Sequence, residues 1–139
     1  MLLDFRLFDA VLSEAKKSSQ GRLNFDLRTQ KFEPEGSDWQ DTSQRMLNVL
    51  TKGTVIPVHK HNDTSETVIC LRGAVEEVFF DELGNEIENY VLRYGSDCCA
   101  IQVPRGVYHT CRCLEQGSVI FEAKDRLYDA VKTEDMLTV

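Results

Sequence analysis

No stretch of this chain approaches the roughly 18 consecutive apolar residues of a membrane-spanning helix. Its first residues are interrupted by Asp4, Arg6 and Asp9 instead of running from a basic region into an apolar one, so neither a transmembrane span nor a secretory signal is expected. Lysine and arginine do not gather into a patch, and the net charge is -7. That argues against nucleic acid or an anionic membrane surface as partner and in favour of a small-molecule ligand. Cysteine is present but not as a disulfide framework: the five are odd in number, and Cys98-Cys99 and Cys111-x-Cys113 suit neither staples nor a Cys-x-x-Cys zinc ribbon. Reduced thiols, and hence the cytoplasm, are the expectation. Internal repeats, low-complexity tracts and linkers are also missing. With 139 residues, 42% of them hydrophobic, one core can form but not two.

Histidine is scarce as well, at three residues, and their placement is informative. Gly53 is followed after five residues by His59-Lys60-His61, after four more by Glu66, and after six more by Gly73; His109 follows Pro104-Arg105-Gly106 in a second strand-like segment. Side chains alternate faces along a strand, so His59 and His61 point the same way. Beyond the polar turn Asn62-Asp63-Thr64-Ser65, Glu66 opens the apolar run 67–71 and can return a carboxylate to the same place from a neighbouring strand. Three imidazoles and a carboxylate suit one divalent transition metal ion per chain, Zn, Fe(II), Ni or Mn, with room left for water or substrate.

A helix is expected near the start, where Phe5, Phe8, Leu12 and Ala15, flanked by Leu7 and Val11, form an apolar stripe between an Asp4 N-cap and a Gly21 stop. A short strand over 23–27 and a polar loop over 29–41 follow, the loop carrying Trp39 and offering a candidate lid. Strands are then expected at 44–51, 54–60, 66–72, 74–80, 86–92, 98–103, 108–113 and 118–124, separated by Gly-marked turns, the pattern of an all-β sandwich or barrel. The tail is expected to add a helical turn over 134–137 capped by Thr133. Residues 1–43 thus form an N-terminal helix and extension on a barrel of 44–139, one structural domain in all.

The Gly53–Gly73 segment resembles the first cupin motif at every fixed position, and residues 104–109 resemble the core of the second, with Gly95 as its leading glycine and Cys113 where the pattern has Asn. Most of the chain, through Arg22-Leu23-Asn24, residues 44–48, the core motifs, residues 121–124 and Tyr128, resembles the WbuC family of cupin-fold metalloproteins. The resemblance implies an all-β cupin jelly-roll barrel (double-stranded β-helix) with an N-terminal helix. It implies His59, His61, Glu66 and His109 as ligands and an association with bacterial O-antigen and polysaccharide metabolism. It also marks Arg22, Asn24, Arg45 and Asn48 as candidate substrate contacts. Arg45 and Asn48, three apart, face opposite sides of a regular strand, so all four line one pocket only across a bulge.

Strand parity adds further residues. Cys111 and Cys113 share the face of His109, and Val68 and Cys70 that of Glu66, giving a thiol-rich wall in which Cys111 is the candidate to meet the ion, while Tyr108 points away. Glu122 and Lys124, two apart on the last strand, present a carboxyl and an ammonium to one face and are the candidate catalytic pair. The expected protein is a metal-binding cupin acting on a small polar, sugar-like substrate as an isomerase or epimerase. The alternatives are an Fe(II) dioxygenase and a non-catalytic sugar-binding or sensory module. An apolar helical stripe outside the barrel pattern and an open sheet edge add the expectation of a homodimer.

Overall fold

The computed structural model describes residues 1–29, 41–125 and 135–137. Helix α1 (Phe5–Ala15) precedes β1 (Arg22–Asp26), a 3-10 turn at Leu27–Thr29, and then β2 (Gln44–Leu50), β3 (Val58–His59), β4 (Glu66–Arg72), β5 (Ala74–Phe80), β6 (Glu86–Arg93), β7 (Ala100–Val103), β8 (Tyr108–Cys113), β9 (Ser118–Lys124) and β10 (Met136–Leu137). The strands form two facing five-stranded sheets, ordered β1-β2-β9-β4-β7 and β10-β3-β8-β5-β6, with antiparallel pairing throughout. The all-β jelly roll with one N-terminal helix is therefore as the sequence predicts. Among the described residues no helix is long and apolar enough to cross a membrane.

Alternation along each strand divides the molecule into two apolar regions. Inward side chains of both sheets, including Leu50, Val68, Cys70, Val75, Leu92, Cys111 and Ile120, fill the barrel. Leu47, Val49 and Val119 leave the opposite face of the first sheet and meet Phe8 and Val11 of α1. The helix forms because Asp4 accepts a 2.9 Å hydrogen bond from the Leu7 amide at its start and because its apolar stripe has this sheet face to cover. The stripe thus packs on its own barrel, which removes it as a motive for dimerisation.

The strands predicted at 23–27, 44–51, 86–92 and 98–103 shift by one or two residues at an end, and three elements differ by more. The helix stops at Ala15, not at Gly21. Gly21, at φ +67°, instead turns the chain into β1, and its carbonyl accepts from the Thr51 amide at 2.9 Å and from the Thr51 and Thr54 hydroxyls at 2.7 Å each. The strand predicted over 54–60 contracts to Val58–His59, since Pro57 offers no amide to a ladder; Ile56 is tied instead through its carbonyl to the Thr110 hydroxyl at 2.6 Å. Of the helical turn predicted over 134–137, Glu134 lies outside the described residues and Met136 and Leu137 form β10 instead, antiparallel to β3 with Met136 opposite His59. Pairing with an otherwise half-empty strand edge overrides a four-residue helix, which has too few internal bonds to persist alone. Thr133 and residues 30–40 of the candidate lid over 29–41, with Trp39, lie outside the described residues.

Gly73, which joins β4 to β5, approaches the start of β9 closely. Its φ is +72°, and a Cβ there would fall 2.4 Å from the Ser118 hydroxyl and 3.2 Å from the Ser118 Cα. That hydroxyl cannot move freely, because it accepts from the Ala74 amide at 3.1 Å and donates to carbonyls of the same neighbourhood. Gly73→Ala is expected to cost about 1–3 kcal/mol in urea unfolding, with no change in metal content. An unaltered midpoint would show that the turn relaxes at no cost.

Candidate metal centre

Inside the barrel the inward residues stack in layers. The lower layer is apolar; above it the same strands switch to polar side chains, and an open cavity of about 280 Å³ begins, with His59, His61, Glu66, Glu77, His109, Cys111, Glu122 and Lys124 in its walls. The switch happens on one face of each strand: Cys70, Val68, Glu66 along β4, Cys113, Cys111, His109 along β8, and Ile120, Glu122, Lys124 along β9.

The three histidines meet at the upper layer. His59 on β3 is the direct partner of His109 on β8, and His61 follows two residues on, so that one ring nitrogen from each of the three lies within 4.8 Å of the others. His59 Nδ1 donates to the Pro57 carbonyl at 2.8 Å and His109 Nδ1 to the Val107 carbonyl at 3.1 Å. Each bond fixes the ring and leaves Nε2 as a lone pair directed at the cavity, the arrangement that outer partners impose on ligating imidazoles. Glu66 Oε2 stands 3.3 Å from His61 Nε2, 3.6 Å from His109 Nε2 and 3.7 Å from Lys124 Nζ.

The fit to a cation shows in what these atoms lack. His61 Nε2 and Glu66 Oε2 are both buried and neither makes a hydrogen bond, although an orphaned buried acceptor is costly. The group close enough to share an ion is the three histidines; Glu66 is not in that group but borders it at His61 and His109, and an ion held by the imidazoles with Glu66 as a fourth donor would satisfy both atoms at once. The electrostatics agree. Burial, and then the charge of His109, lower the His59 pKa to about 4, keeping that imidazole neutral and able to ligate. Burial alone would raise Glu66, but His109, His61 and Lys124 outweigh it and hold the carboxyl well below its usual range. For His109 burial works downward, and the facing Glu66 carboxylate more than reverses it.

Below the ligands, Glu122 is pushed well above the ordinary carboxyl range by burial and by the Glu66 charge, and the Cys111 thiol by burial and by Glu77. Cys111 therefore lines the cavity as a neutral thiol and does not join the three histidines as a further donor. Glu122 and Lys124 both face the cavity from β9.

The candidate substrate residues separate. Arg22, Asn24 and Asn48 line the cavity together with Gln20 and Met46, and the Arg22 guanidinium donates to the Val55 carbonyl at 3.0 Å. Arg45 does not: it lies on the outward face of β2, where it pairs with Asp41 and donates to the Ser43 carbonyl at 3.1 Å. No bulge interrupts β2 against β9, so alternation sends Arg45 and Asn48 to opposite sides. Tyr108 also points away, with Lys60 Nζ 4.7 Å above its ring. Sequence reasoning missed Glu77, which is 2% exposed and whose carboxyl burial raises to about 7. The available signal was parity, because Val75, Glu77 and Phe79 share a face whose neighbours are apolar.

A family model described as a domain of unknown function, DUF6016, matches residues 3–92, from α1 through most of β6. No curated protein matches the chain. Solved structures share the fold. The capsular polysaccharide assembling protein CapF from Staphylococcus aureus is 19% identical with a TM-score of 0.57, over 70% of this chain and 26% of CapF. Oxalate oxidase, in complex with the substrate analogue glycolate, is 14% identical with a TM-score of 0.60, over 80% and 54%. The cupin domain of Schizosaccharomyces pombe Cnp3 is 14% identical with a TM-score of 0.55, over 78% and 66%. At such identities the likeness establishes a cupin fold, and this chain spans only about a quarter of CapF and half of oxalate oxidase.

Proposed function

The chain belongs to the DUF6016 family, and from the chemistry of its cavity we propose that it is a metal-dependent cupin enzyme whose substrate is small, polar and sugar-like. The observation that carries this is the convergence of His59, His61 and His109 on one point, where the buried His61 Nε2 and Glu66 Oε2 make no hydrogen bond although they lie 3.3 Å apart. Held there, a Zn, Fe, Ni or Mn ion would polarise a carbonyl or hydroxyl or lower the pKa of bound water.

The protein's own groups supply the rest. Arg22, Asn24 and Asn48 line the approach to the cavity and offer donors to an incoming polar molecule. Glu122, whose carboxyl burial raises well above its ordinary range, can hold and give up a proton, and Lys124 stands on the same face with its Nζ near Glu66. A carboxyl that takes a proton as its carboxylate from the carbon beside a polarised carbonyl, and returns it as the acid to that carbon or its neighbour, suits isomerisation or epimerisation. The resemblance to WbuC proteins and the fold shared with a capsular polysaccharide assembling protein support a sugar-like ligand. A homodimer and a cytoplasmic location remain part of the same proposal.

Elemental analysis of the untreated protein tests the first half and is expected to find about one divalent ion per chain. No ion, and none gained on reconstitution, would end the metal reading. Incubating the loaded protein with sugars in deuterium oxide tests the second: enzyme-dependent deuterium at a carbon next to a carbonyl is expected. A bound sugar with no exchange would show a non-catalytic sugar-binding module instead.

A further inference from the structure

Beneath the histidines, two carboxyl groups have no part in holding a metal and no evident structural reason to be there. Glu77 projects from β5 beside its partner Cys111 on β8. Glu122 projects from β9 in the opposite sheet, between Met46 and Val68. Both line the same cavity, so the two sheets each bring one carboxyl to the layer below His109. The Oε2 atoms of Glu77 and Glu122 are both buried without a hydrogen-bond partner.

Leaving such oxygens unsatisfied is destabilising, and an apolar residue would suit either position, as Val75 and Phe79 do on the same face of β5. A second cation is not the explanation: the three histidines are the one group among the described residues close enough to hold an ion. Nor does an ion pair satisfy them: His109 acts on Glu77 and Lys124 on Glu122 through their charges, yet Lys124 Nζ stands against Glu66 and neither Oε2 atom gains a hydrogen bond. What remains is a ligand group that can pair with a buried carboxyl oxygen as donor or as acceptor, whichever form the carboxyl takes. A hydroxyl does both, whereas a phosphate or carboxylate placed between two carboxyls would be repelled.

We propose that Glu77 and Glu122 form a hydroxyl-recognising floor, which grips a neutral polyhydroxyl end of the ligand while its other end reaches the histidines. The proposal rests on reading the cavity as a site for a sugar-like substrate and adds which end enters first: any anionic group stays at the mouth, near Arg22.

The test uses the metal-reconstituted full chain with saturation-transfer NMR against D-galactose, D-mannose and N-acetyl-D-glucosamine, and against tetrahydropyran, a similar ring without hydroxyls. Metal content and melting temperature are measured alongside. Wild type is expected to show transfer to at least one sugar and none to tetrahydropyran. Glu77→Leu is expected to keep its metal, to melt several degrees higher because an unsatisfied carboxyl has gone, and to lose the sugar signal at least tenfold. Should that variant not fold, Glu77→Gln, of equal size, decides: a severalfold loss of signal at unchanged melting temperature supports the floor. Transfer unchanged in the variants, loss of signal only together with a lower melting temperature, or no transfer in wild type overturns it. Retained metal with sugar binding indifferent to Glu77 would sink the floor alone; metal-free protein whose sugar signal still depends on Glu77 would sink the metal reading alone.

Discussion

His109→Ala is expected to weaken metal affinity by about a hundredfold or more, since removing even an outer partner of a ligand costs roughly 10–100-fold. This residue has two roles that fail together. It supplies one of three converging nitrogens, and it faces Glu66, whose Oε2 lies 3.6 Å from its Nε2. His59→Ala is expected to do the same, because its ring is fixed by the Pro57 carbonyl and sits opposite His109 in the strand register. His61→Gln should retain partial occupancy, because its side chain is 17% exposed and sits nearer the rim, and the amide offers an oxygen in place of the nitrogen. Calorimetric titration with zinc measures all three. Affinities within a few fold of wild type for both alanine variants would mean that the ion binds elsewhere.

The second large effect is on pH dependence: the melting-temperature gain from added metal should be large at pH 7.5 and nearly gone at pH 5. Ligating imidazoles must be neutral, so protons compete with the ion. His59, lowered to about 4, gives up its proton early and does not set the limit. His109 does, because its pKa lies above the ordinary 6.5, and near neutrality the ion must displace a proton there. The sign follows from linkage. A raised histidine stabilises the metal-free fold fully below 6.5, and that stabilisation disappears as pH rises through the folded value. Acidification therefore supports the empty site through the His109–Glu66 pair while it undermines the loaded one. His59, being depressed, works oppositely on the empty protein, which loses stability as pH falls from 6.5 towards about 4. The difference between curves with and without metal is thus the quantity to follow, and equal gains at both pH values would rule out histidine ligation.

Much of the barrel was legible because its strands are short, regularly spaced and bounded by turns. Residues 66–72, 74–80, 108–113 and 118–124 were predicted at the bounds they have. The histidines were legible for a related reason: His-x-His on a strand has only one geometric outcome. What was not legible depended on partners distant in sequence. Nothing near Met136 and Leu137 indicates a strand, since their extended form comes from β3, more than seventy residues earlier. The helix ends at Ala15 because the next turn has no further sheet face to cover, and Gly21, which looks like a stop, serves β1. Glu77 was passed over because Glu76-Glu77 reads as solvated charge unless the parity of Val75 and Phe79 is applied to it.

The union of β10 with β3 carries a consequence for the order in which the protein can be completed. His59 lies in a strand of two residues, held on one side by His109 and on the other by Met136. The segment just beyond it is tied to Asp135, through the Lys60 amide at 3.0 Å and the Asn62 side-chain amide. The pairing of β2, β4 and β9 and the seating of α1 need no residue of β10, yet until β10 docks the stretch 59–62 is secured along one edge only. Competence to hold an ion should therefore arrive last in folding, after the barrel itself, when β10 closes the free edge of the strand that carries His59.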